Sequence, residues 1–174
     1  MQNSTTVVAR AETLGIDVGG VIIDRIANDK SDTAFFGANY LATTAVPNAF
    51  EAIAQLVSKR FGSARTFIVS KCGRNIQHRT LEWLEHHNFF KLTGMQAENI
   101  RFCYQRHEKA PICHELGITH FIDDRAEVLG YLTTVPHRFL FGSNPQERNR
   151  YAKLIRSGFV TPVADWRAVI AQLL

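Results

Sequence analysis

Short apolar runs alternate along the chain with longer segments in which apolar residues recur every three or four positions. The short runs are typical of buried strands, and the longer segments are typical of amphipathic helices. The pattern predicts five strands, at residues 13–17, 66–69, 100–104, 120–122 and 138–141. It predicts helices between them, at about residues 47–61, 74–87, 108–116, 125–132, 145–158 and 166–173. This alternation favours an α/β fold, with a five-stranded, mostly parallel sheet covered by helices on both faces.

Three helix starts carry recognisable capping residues. Asp124 and Glu127 have the spacing of a capping box, and Asn144 precedes Pro145 as a cap precedes the first position of a helix. Asp165 is the expected cap of the last helix.

Residues 25–46 lack a sustained period and follow the first strand. We expect them to form a small flap, with a hairpin turn near Gly37. Its aromatic residues Phe35, Phe36 and Tyr40 fit a substrate lid, a contact between two copies of the chain, or a cover over the core. Residues 1–12 are polar and predict a disordered lead-in, which leaves residues 13–174 as a single domain.

Composition narrows the possible classes of protein. The chain has 174 residues, of which 45% are hydrophobic and 21% charged, as in an ordinary globular domain. No apolar run approaches the ~20 residues of a membrane span, and the N-terminal residues do not resemble a signal peptide, so we expect a cytoplasmic protein without a membrane partner. The net charge of +4 favours anionic ligands but does not by itself indicate nucleic acid. Three cysteines without paired spacing indicate reduced, mostly buried thiols.

Polar residues terminate three of the predicted strands. Asp17, Ser70 and Asp123 each follow an apolar run. Because parallel strands place all their carboxyl ends at one edge of the sheet, these side chains are expected to converge where open α/β sheets bind their ligands. Gly19 and Gly20 allow a tight turn after Asp17 and would present bare N–H groups there.

The converging residues have the chemistry of phosphoryl transfer. Two neighbouring carboxylates repel unless a proton or a cation separates them, and oxygen ligands of this kind suit Mg²⁺. Lys109 precedes Asp123 by one helix and one strand, so it can return to the same edge and neutralise an anionic substrate. Ser70 can hold a phosphoryl oxygen, and Asp17 could attack phosphorus as a carboxylate nucleophile.

These segments together resemble the haloacid dehalogenase-like (HAD) superfamily of hydrolases and phosphatases. The resemblance extends from residue 13 to nearly the end of the chain, through the segments IDVGGVI, FIVSK, EKAPI and HFIDDRAEVL. It implies a Rossmann-like, three-layer core in which Asp17 is the nucleophile. It also implies Mg²⁺ as the cofactor and a phosphorylated substrate, small or macromolecular. The implied metal ligands are Asp17, the carbonyl of Gly19 and Asp123, with Asp124 close by; the implied phosphate-binding residues are Gly19, Gly20, Ser70, Lys71 and Lys109.

Gly19 departs from the pattern of the superfamily. Its phosphatases usually carry a second aspartate there as general acid and base, and loss of such a group typically costs about 10²–10⁴-fold in rate. Asp24 or His107 could substitute if the flap or a helix brings either one in. Otherwise the chain is a weak phosphatase, or a binding or regulatory protein that retains the fold without turnover. A third interpretation, the phosphate-binding turn of an actin-like sugar kinase, requires two large domains that 174 residues cannot supply.

The chain is also too short for the inserted cap domain that many members of the superfamily carry. We therefore expect a capless or minimally capped protein with an open site, which a large substrate could enter or a partner subunit of a homodimer could close. Lys71, Arg74, Arg25 and Arg125 lie near the predicted site and could make it electropositive.

Overall fold

The computed structural model describes residues 11–24, 37–142 and 145–174. Its centre is a sheet of six strands that are all parallel, in the order β3-β2-β1-β4-β5-β6. The strands are β1 (Leu14–Ile16), β2 (Thr66–Lys71), β3 (Ile100–Cys103), β4 (His120–Asp123), β5 (His137–Phe141) and β6 (Thr161–Val163).

The sixth strand corrects the prediction of five. Thr161–Val163 pairs with β5 at the edge of the sheet, and Pro162 occupies its centre. A three-residue strand shows no alternation that could be recognised, and proline lowers the expectation of a strand anywhere except at a sheet edge. The sheet is also wholly parallel rather than mostly so.

Helices cover both faces of this sheet, which gives the predicted three-layer Rossmann-like architecture. In chain order the helices are α1 (Ala49–Leu56, continued by a π-helical turn over Val57–Phe61), α2 (Arg74–His86), α3 (Phe89–Thr93), α4 (Lys109–Glu115), α5 (Ala126–Tyr131), α6 (Pro145–Arg150), α7 (Ala152–Arg156) and α8 (Trp166–Leu173). None of the helices in the described ranges is long and apolar enough to cross a membrane.

Two separate apolar clusters join the layers to the sheet. The first cluster contains Ile16, Ile68 and Ile122 of the central strands, packed against side chains of α1, α2, α3 and α8. The second contains Phe121 and Val69 from the same sheet, packed against α4, α5 and α7. Because side chains alternate along a strand, neighbouring residues of β2 and β4 belong to different layers. This alternation decides which polar residues at the strand ends can meet.

The base of the predicted flap is built from both of its ends. Ile23 and Ala45 form an antiparallel bridge, and the backbone N–H of Asp24 donates to Thr44 O at 2.9 Å. A 3₁₀ helix over Tyr40–Ala42 follows Gly37, where the sequence predicted a hairpin turn. Residues 25–36, which include Arg25, Phe35 and Phe36, lie outside the described ranges, as do residues 1–10.

The capping predictions had different outcomes. Asp165 does cap α8, since its Oδ1 accepts from the N–H of Ala168 at 2.8 Å. The capping box of Asp124 and Glu127 is wrong: α5 begins after Arg125 without a side-chain cap, and the Glu127 carboxylate binds Arg106 and the Tyr131 hydroxyl. Asn144 lies outside the described ranges. All three cysteines are free and buried, as predicted.

Candidate active site

The two central strands carry Asp17 and Asp123 to the same level of the sheet. Ile16 of β1 is paired with Ile122 of β4, and the N–H of Asp17 donates to Ile122 O at 3.0 Å. The next residue on each strand is an aspartate, so both carboxylates leave the sheet side by side and towards the layer that contains α4. The predicted meeting of the two strand ends is therefore present.

Lys109 connects these two carboxylates. It is the first residue of α4, and its Nζ lies 2.8 Å from Asp17 Oδ1 and 2.8 Å from Asp123 Oδ2. All three residues are buried, with relative exposures of 2% for Lys109, 7% for Asp17 and 0% for Asp123. Because buried charges are tolerated only when they are paired, this ammonium group balances charge that the fold could not otherwise enclose.

The two carboxylates differ in how much of their hydrogen-bonding capacity remains. Both oxygens of Asp123 accept a hydrogen bond: Oδ2 from Lys109 and Oδ1 from the N–H of Arg125 at 2.9 Å. Asp17 uses Oδ1 for Lys109, and its Oδ2 accepts no hydrogen bond from any residue of the described ranges. Asp17 is also the more exposed of the two, so it offers a free oxygen to a ligand.

Burial and charge change the pKa values of Asp123 and Lys109. Desolvation raises the pKa of Asp123 to about 7; the ammonium of Lys109 opposes this rise, and the charges of Asp17 and Asp124 add to it. Burial lowers the pKa of Lys109, but the attraction of Asp123 and Asp17 outweighs it and raises that pKa overall. The lysine therefore stays charged while it bridges the carboxylates.

A third carboxylate completes an acidic cluster. Asp17, Asp123 and Asp124 each offer one oxygen, and these oxygens all lie within 4.8 Å of one another. Clustered carboxylate oxygens are the ligands that hard divalent cations prefer. The cluster could therefore hold a divalent metal, as the sequence predicted from the same residues.

The turn after Asp17 is closed by hydrogen bonds. The carbonyl oxygen of Val18 accepts from Ile22 N at 2.8 Å and from Ile23 N at 3.0 Å, and Gly20 adopts a φ of 79° that favours glycine. The N–H of Gly20 donates to Ile23 O at 2.8 Å, so it is not the bare donor that the sequence predicted. The indole of Trp166 in α8 donates to Val21 O at 2.8 Å, which ties this turn to the C-terminal helix.

Ser70 and Lys71 end the neighbouring strand β2. Ser70 is buried at 6% exposure, and Lys71 is exposed. The pairing of Ile16 with Ile68 puts Ser70 one residue beyond the level of Asp17 and Lys71 two residues beyond it. Neither side chain has a hydrogen bond to Asp17, Asp123 or Lys109 among the described residues, so the roles predicted for them stay predictions.

The two residues that could replace the missing general acid do not contact the acidic cluster. Asp24 is half-buried at the base of the flap, and His107 is exposed and packs its ring against Tyr131 at a centroid distance of 6.3 Å. Neither forms a hydrogen bond with Asp17 among the described residues. Gly19, at the position of the usual second aspartate, has no side chain that could act as an acid.

Two features of the site were missed by sequence reasoning. The N–H of Arg125 orients the carboxylate of Asp123, and the Glu147 carboxylate accepts the N–H of Ala126 at 3.0 Å at the start of α5. Only the first had a signal in the sequence, because the second residue after a strand-end aspartate is within reach of its carboxylate. Glu147 reaches α5 from a different crossover, which no local pattern indicates.

One comparison with solved structures bears on the fold. A crystal structure of D,D-heptose 1,7-bisphosphate phosphatase from Burkholderia thailandensis is similar over 92% of this chain and 97% of its own, with a TM-score of 0.54 and 15% identity. The molybdenum cofactor carrier protein from Chlamydomonas reinhardtii covers 92% of this chain and 95% of its own, with a TM-score of 0.44 and 13% identity. No family model matches the sequence. No curated protein matches it either. The similarity to the heptose bisphosphate phosphatase shows that the two proteins share a fold, and this is the fold that the resemblance implied.

Proposed function

We propose that this protein is a magnesium-dependent phosphohydrolase that acts through an aspartyl-phosphate on Asp17. One observation carries the proposal: Asp17 is held against Lys109 by one oxygen, its second oxygen accepts no hydrogen bond from the described residues, and it is more exposed than Asp123. A carboxylate that is fixed, charged and accessible is suited to attack phosphorus. The similarity to a heptose bisphosphate phosphatase supports this proposal through the shared fold.

The residues present fit a bound Mg²⁺. Asp17, Asp123 and Asp124 supply oxygen donors close enough to share one cation. The carbonyl of Gly19, two residues after Asp17, is the further ligand that the resemblance implies. Mg²⁺ typically takes only one or two carboxylates together with waters and phosphate oxygens. When bound, the ion would neutralise charge on the phosphoryl oxygens and so lower the repulsion between two anions.

The chain's own residues would then carry out two displacements. Asp17 Oδ2 attacks phosphorus, the bond from phosphorus to the alcohol oxygen breaks, and the alkoxide takes a proton from solvent. Lys109 holds the other Asp17 oxygen in place and balances the charge that develops on the phosphoryl group. Water then attacks the phosphorus of the aspartyl-phosphate, which releases phosphate and restores the carboxylate. Ser70 would hold a phosphoryl oxygen beside Asp17.

Gly19 determines which substrates this site can use. Because Gly19 has no side chain that could protonate the leaving oxygen, esters of weakly acidic alcohols should react slowly. Acyl and aryl phosphates, whose leaving groups need no proton, should react faster. The same residue favours a second function, a protein that binds a phosphorylated ligand without hydrolysing it.

Release of phosphate from a panel of acyl, aryl and alkyl phosphates tests the proposal. We expect hydrolysis that depends on Mg²⁺, and we expect Asp17→Asn to lower kcat/KM by at least about 10³-fold because an amide cannot form the phosphorylated intermediate. Glu115→Gln is the matched control, since it changes an exposed carboxylate at the opposite end of α4 from Lys109 and should leave turnover unchanged.

The alternatives give different results in the same assay. Full activity of Asp17→Asn would exclude this residue as the nucleophile. Absence of turnover on every substrate, with tungstate still bound by the wild-type protein, would favour the binding function.

A further inference from the structure

Two cations flank the proposed nucleophile and have no acidic partner within the described part of the chain. Lys71 ends β2 on one side of β1, and Arg125 follows β4 on the other side. Neither side chain forms an ion pair or a side-chain hydrogen bond with any residue of the ranges 11–24, 37–142 and 145–174. By contrast, Arg106 on the same side of the sheet pairs with Glu127 at 2.9 Å.

Strand geometry places Lys71 on the same face of the sheet as Asp17. Phe67 and Val69 of β2 pack into the cluster that contains α4, and alternation directs Lys71 to that face as well. Lys71 lies two residues beyond the level of Asp17 on the adjacent strand. The rise per residue and the spacing between strands then separate their Cα atoms by about 8 Å. An ammonium group at this distance can reach past a phosphoryl group that is in contact with Asp17.

Arg125 approaches the site from the opposite strand. Its backbone N–H is already fixed at 2.9 Å from Asp123 Oδ1, so the residue is held at the edge of the acidic cluster. It is half-buried, and the guanidinium group has five donors that suit a phosphate or a carboxylate. Lys71 and Arg125 thus border the free oxygen of Asp17 on two sides.

We propose that Lys71 and Arg125 bind a second anionic group of the substrate, next to the phosphoryl group that Asp17 attacks. The substrate class is a compact phosphoester that carries a further phosphate or carboxylate. This inference rests on the proposed function for the identity of the first phosphoryl group. A second anionic group would also give a counter-charge to Lys71 and Arg125, which have none among the described residues. Lys109 already balances the buried carboxylates at this edge of the sheet.

Calorimetric binding of phosphonates to the full chain with Mg²⁺ tests this inference without any turnover. The probes are methylphosphonate, trimethylene diphosphonate and phosphonopropionate, which carry one anion, two phosphonates, and a phosphonate with a carboxylate. We expect the diphosphonate to bind at least about ten-fold more tightly than methylphosphonate, since a hydrogen bond to a charged group is worth that much. If phosphonopropionate binds as tightly as the diphosphonate, the second anion site accepts either a phosphate or a carboxylate.

Variants assign the preference to the two residues. Lys71→Gln and Arg125→Gln should each reduce the diphosphonate preference, measured against methylphosphonate for the same variant, by at least about three-fold, and the double variant should abolish it. Lys91→Gln is the matched control, because Lys91 is an exposed lysine of α3 in the opposite layer and should keep the full preference. Equal affinities for the one-anion and two-anion probes in the wild type, or an unchanged preference in the double variant, would overturn the inference.

The result is separable from the test of hydrolysis. A preference that depends on Lys71 and Arg125 in a protein without phosphatase activity would support the anion site and refute the proposed reaction. Phosphatase activity without this preference would support the proposed reaction and refute the second anion site.

Discussion

Lys109 is the residue on which the folding of the site depends most. Its ammonium group is buried at 2% exposure between two carboxylates at 2.8 Å each, so its removal leaves both acids in a low-dielectric environment without a counter-ion. We expect Lys109→Met to lower the free energy of unfolding by about 3–5 kcal/mol in the absence of divalent metal. Urea denaturation at neutral pH measures this loss.

Lys91→Met provides the control for that substitution. Lys91 is exposed, so the same change should shift stability by no more than about 0.5 kcal/mol. A loss below about 1 kcal/mol in Lys109→Met would mean that the carboxylates do not need the lysine in order to be buried.

His120 has a protonation state that its hydrogen bonds determine. Thr119 Oγ1 donates its hydrogen to Thr13 O and therefore accepts from His120 Nδ1 at 2.8 Å. The neutral ring thus presents Nε2 as the acceptor, 3.4 Å from Nη2 of Arg60. Burial first, and then the neighbouring His137 and Arg60, lower the pKa of His120 to about 4 against the attraction of Glu12.

The low pKa of His120 predicts a loss of stability in acid. Between about pH 6.5 and pH 4 the unfolded chain binds a proton that the folded chain excludes, so stability falls as pH falls through this window. The loss attributable to His120 is about 3 kcal/mol. We expect His120→Gln to flatten the pH dependence of the urea midpoint there, because glutamine does not titrate. His78→Gln changes an exposed histidine of α2 and should leave the profile unchanged; identical profiles for wild type and His120→Gln would contradict the assignment.

At the scale of elements, β1 needs a residue without a side chain in order to pack against the second helical layer. A Cβ at Gly15 would overlap the ring of Phe121 on β4 and would lie 2.7 Å from its Cε2 atom. We expect Gly15→Ala to destabilise the protein by about 1–3 kcal/mol, since the core must shift to accept the methyl group. Thermal or urea unfolding measures the change, and combination with Phe121→Leu should recover part of it.

A second glycine provides the matched control for Gly15. Gly130 lies within α5, and a Cβ there would meet only Leu154 Cδ1 at an ordinary 3.5 Å. Gly130→Ala should therefore be neutral or stabilising, because alanine favours helix. Equal effects of the two substitutions would show that the close approach of Gly15 to Phe121 has no energetic consequence.

The sequence predicted the elements of the sheet better than the details of their ends. Apolar runs identified β1 to β5 because a buried parallel strand is apolar on both faces, and β6 was missed because three residues around Pro162 show no period. Parallel strands also made the meeting of Asp17 and Asp123 predictable. The bridge from Lys109 to both carboxylates, and the hydrogen bond of Gly20 to Ile23, depend on tertiary contacts that no local pattern contains.

At the scale of the whole molecule, both helical layers anchor the site. Lys109 reaches it from the second layer, and the Trp166 indole of α8 in the first layer holds the turn after β1 through Val21 O. The last helix, α8, therefore contacts the turn that follows Asp17. Unfolding of either layer would disperse the acidic cluster, so a cation bound by this cluster can bind only the folded chain.

This coupling predicts that Mg²⁺ stabilises the whole fold. A ligand specific to the native state raises the free energy of unfolding by about 2.7 kcal/mol at 100 times its dissociation constant. We expect the thermal midpoint to rise with Mg²⁺ and this rise to shrink in Asp124→Asn, which removes one of the three clustered carboxylates without adding bulk. Glu115→Gln changes an exposed carboxylate at the opposite end of α4 from Lys109, so it should retain the full response. Equal stabilisation of Asp124→Asn and the wild type by Mg²⁺ would mean that the cation binds elsewhere. Lys109 alone would then balance the charge of the acidic cluster.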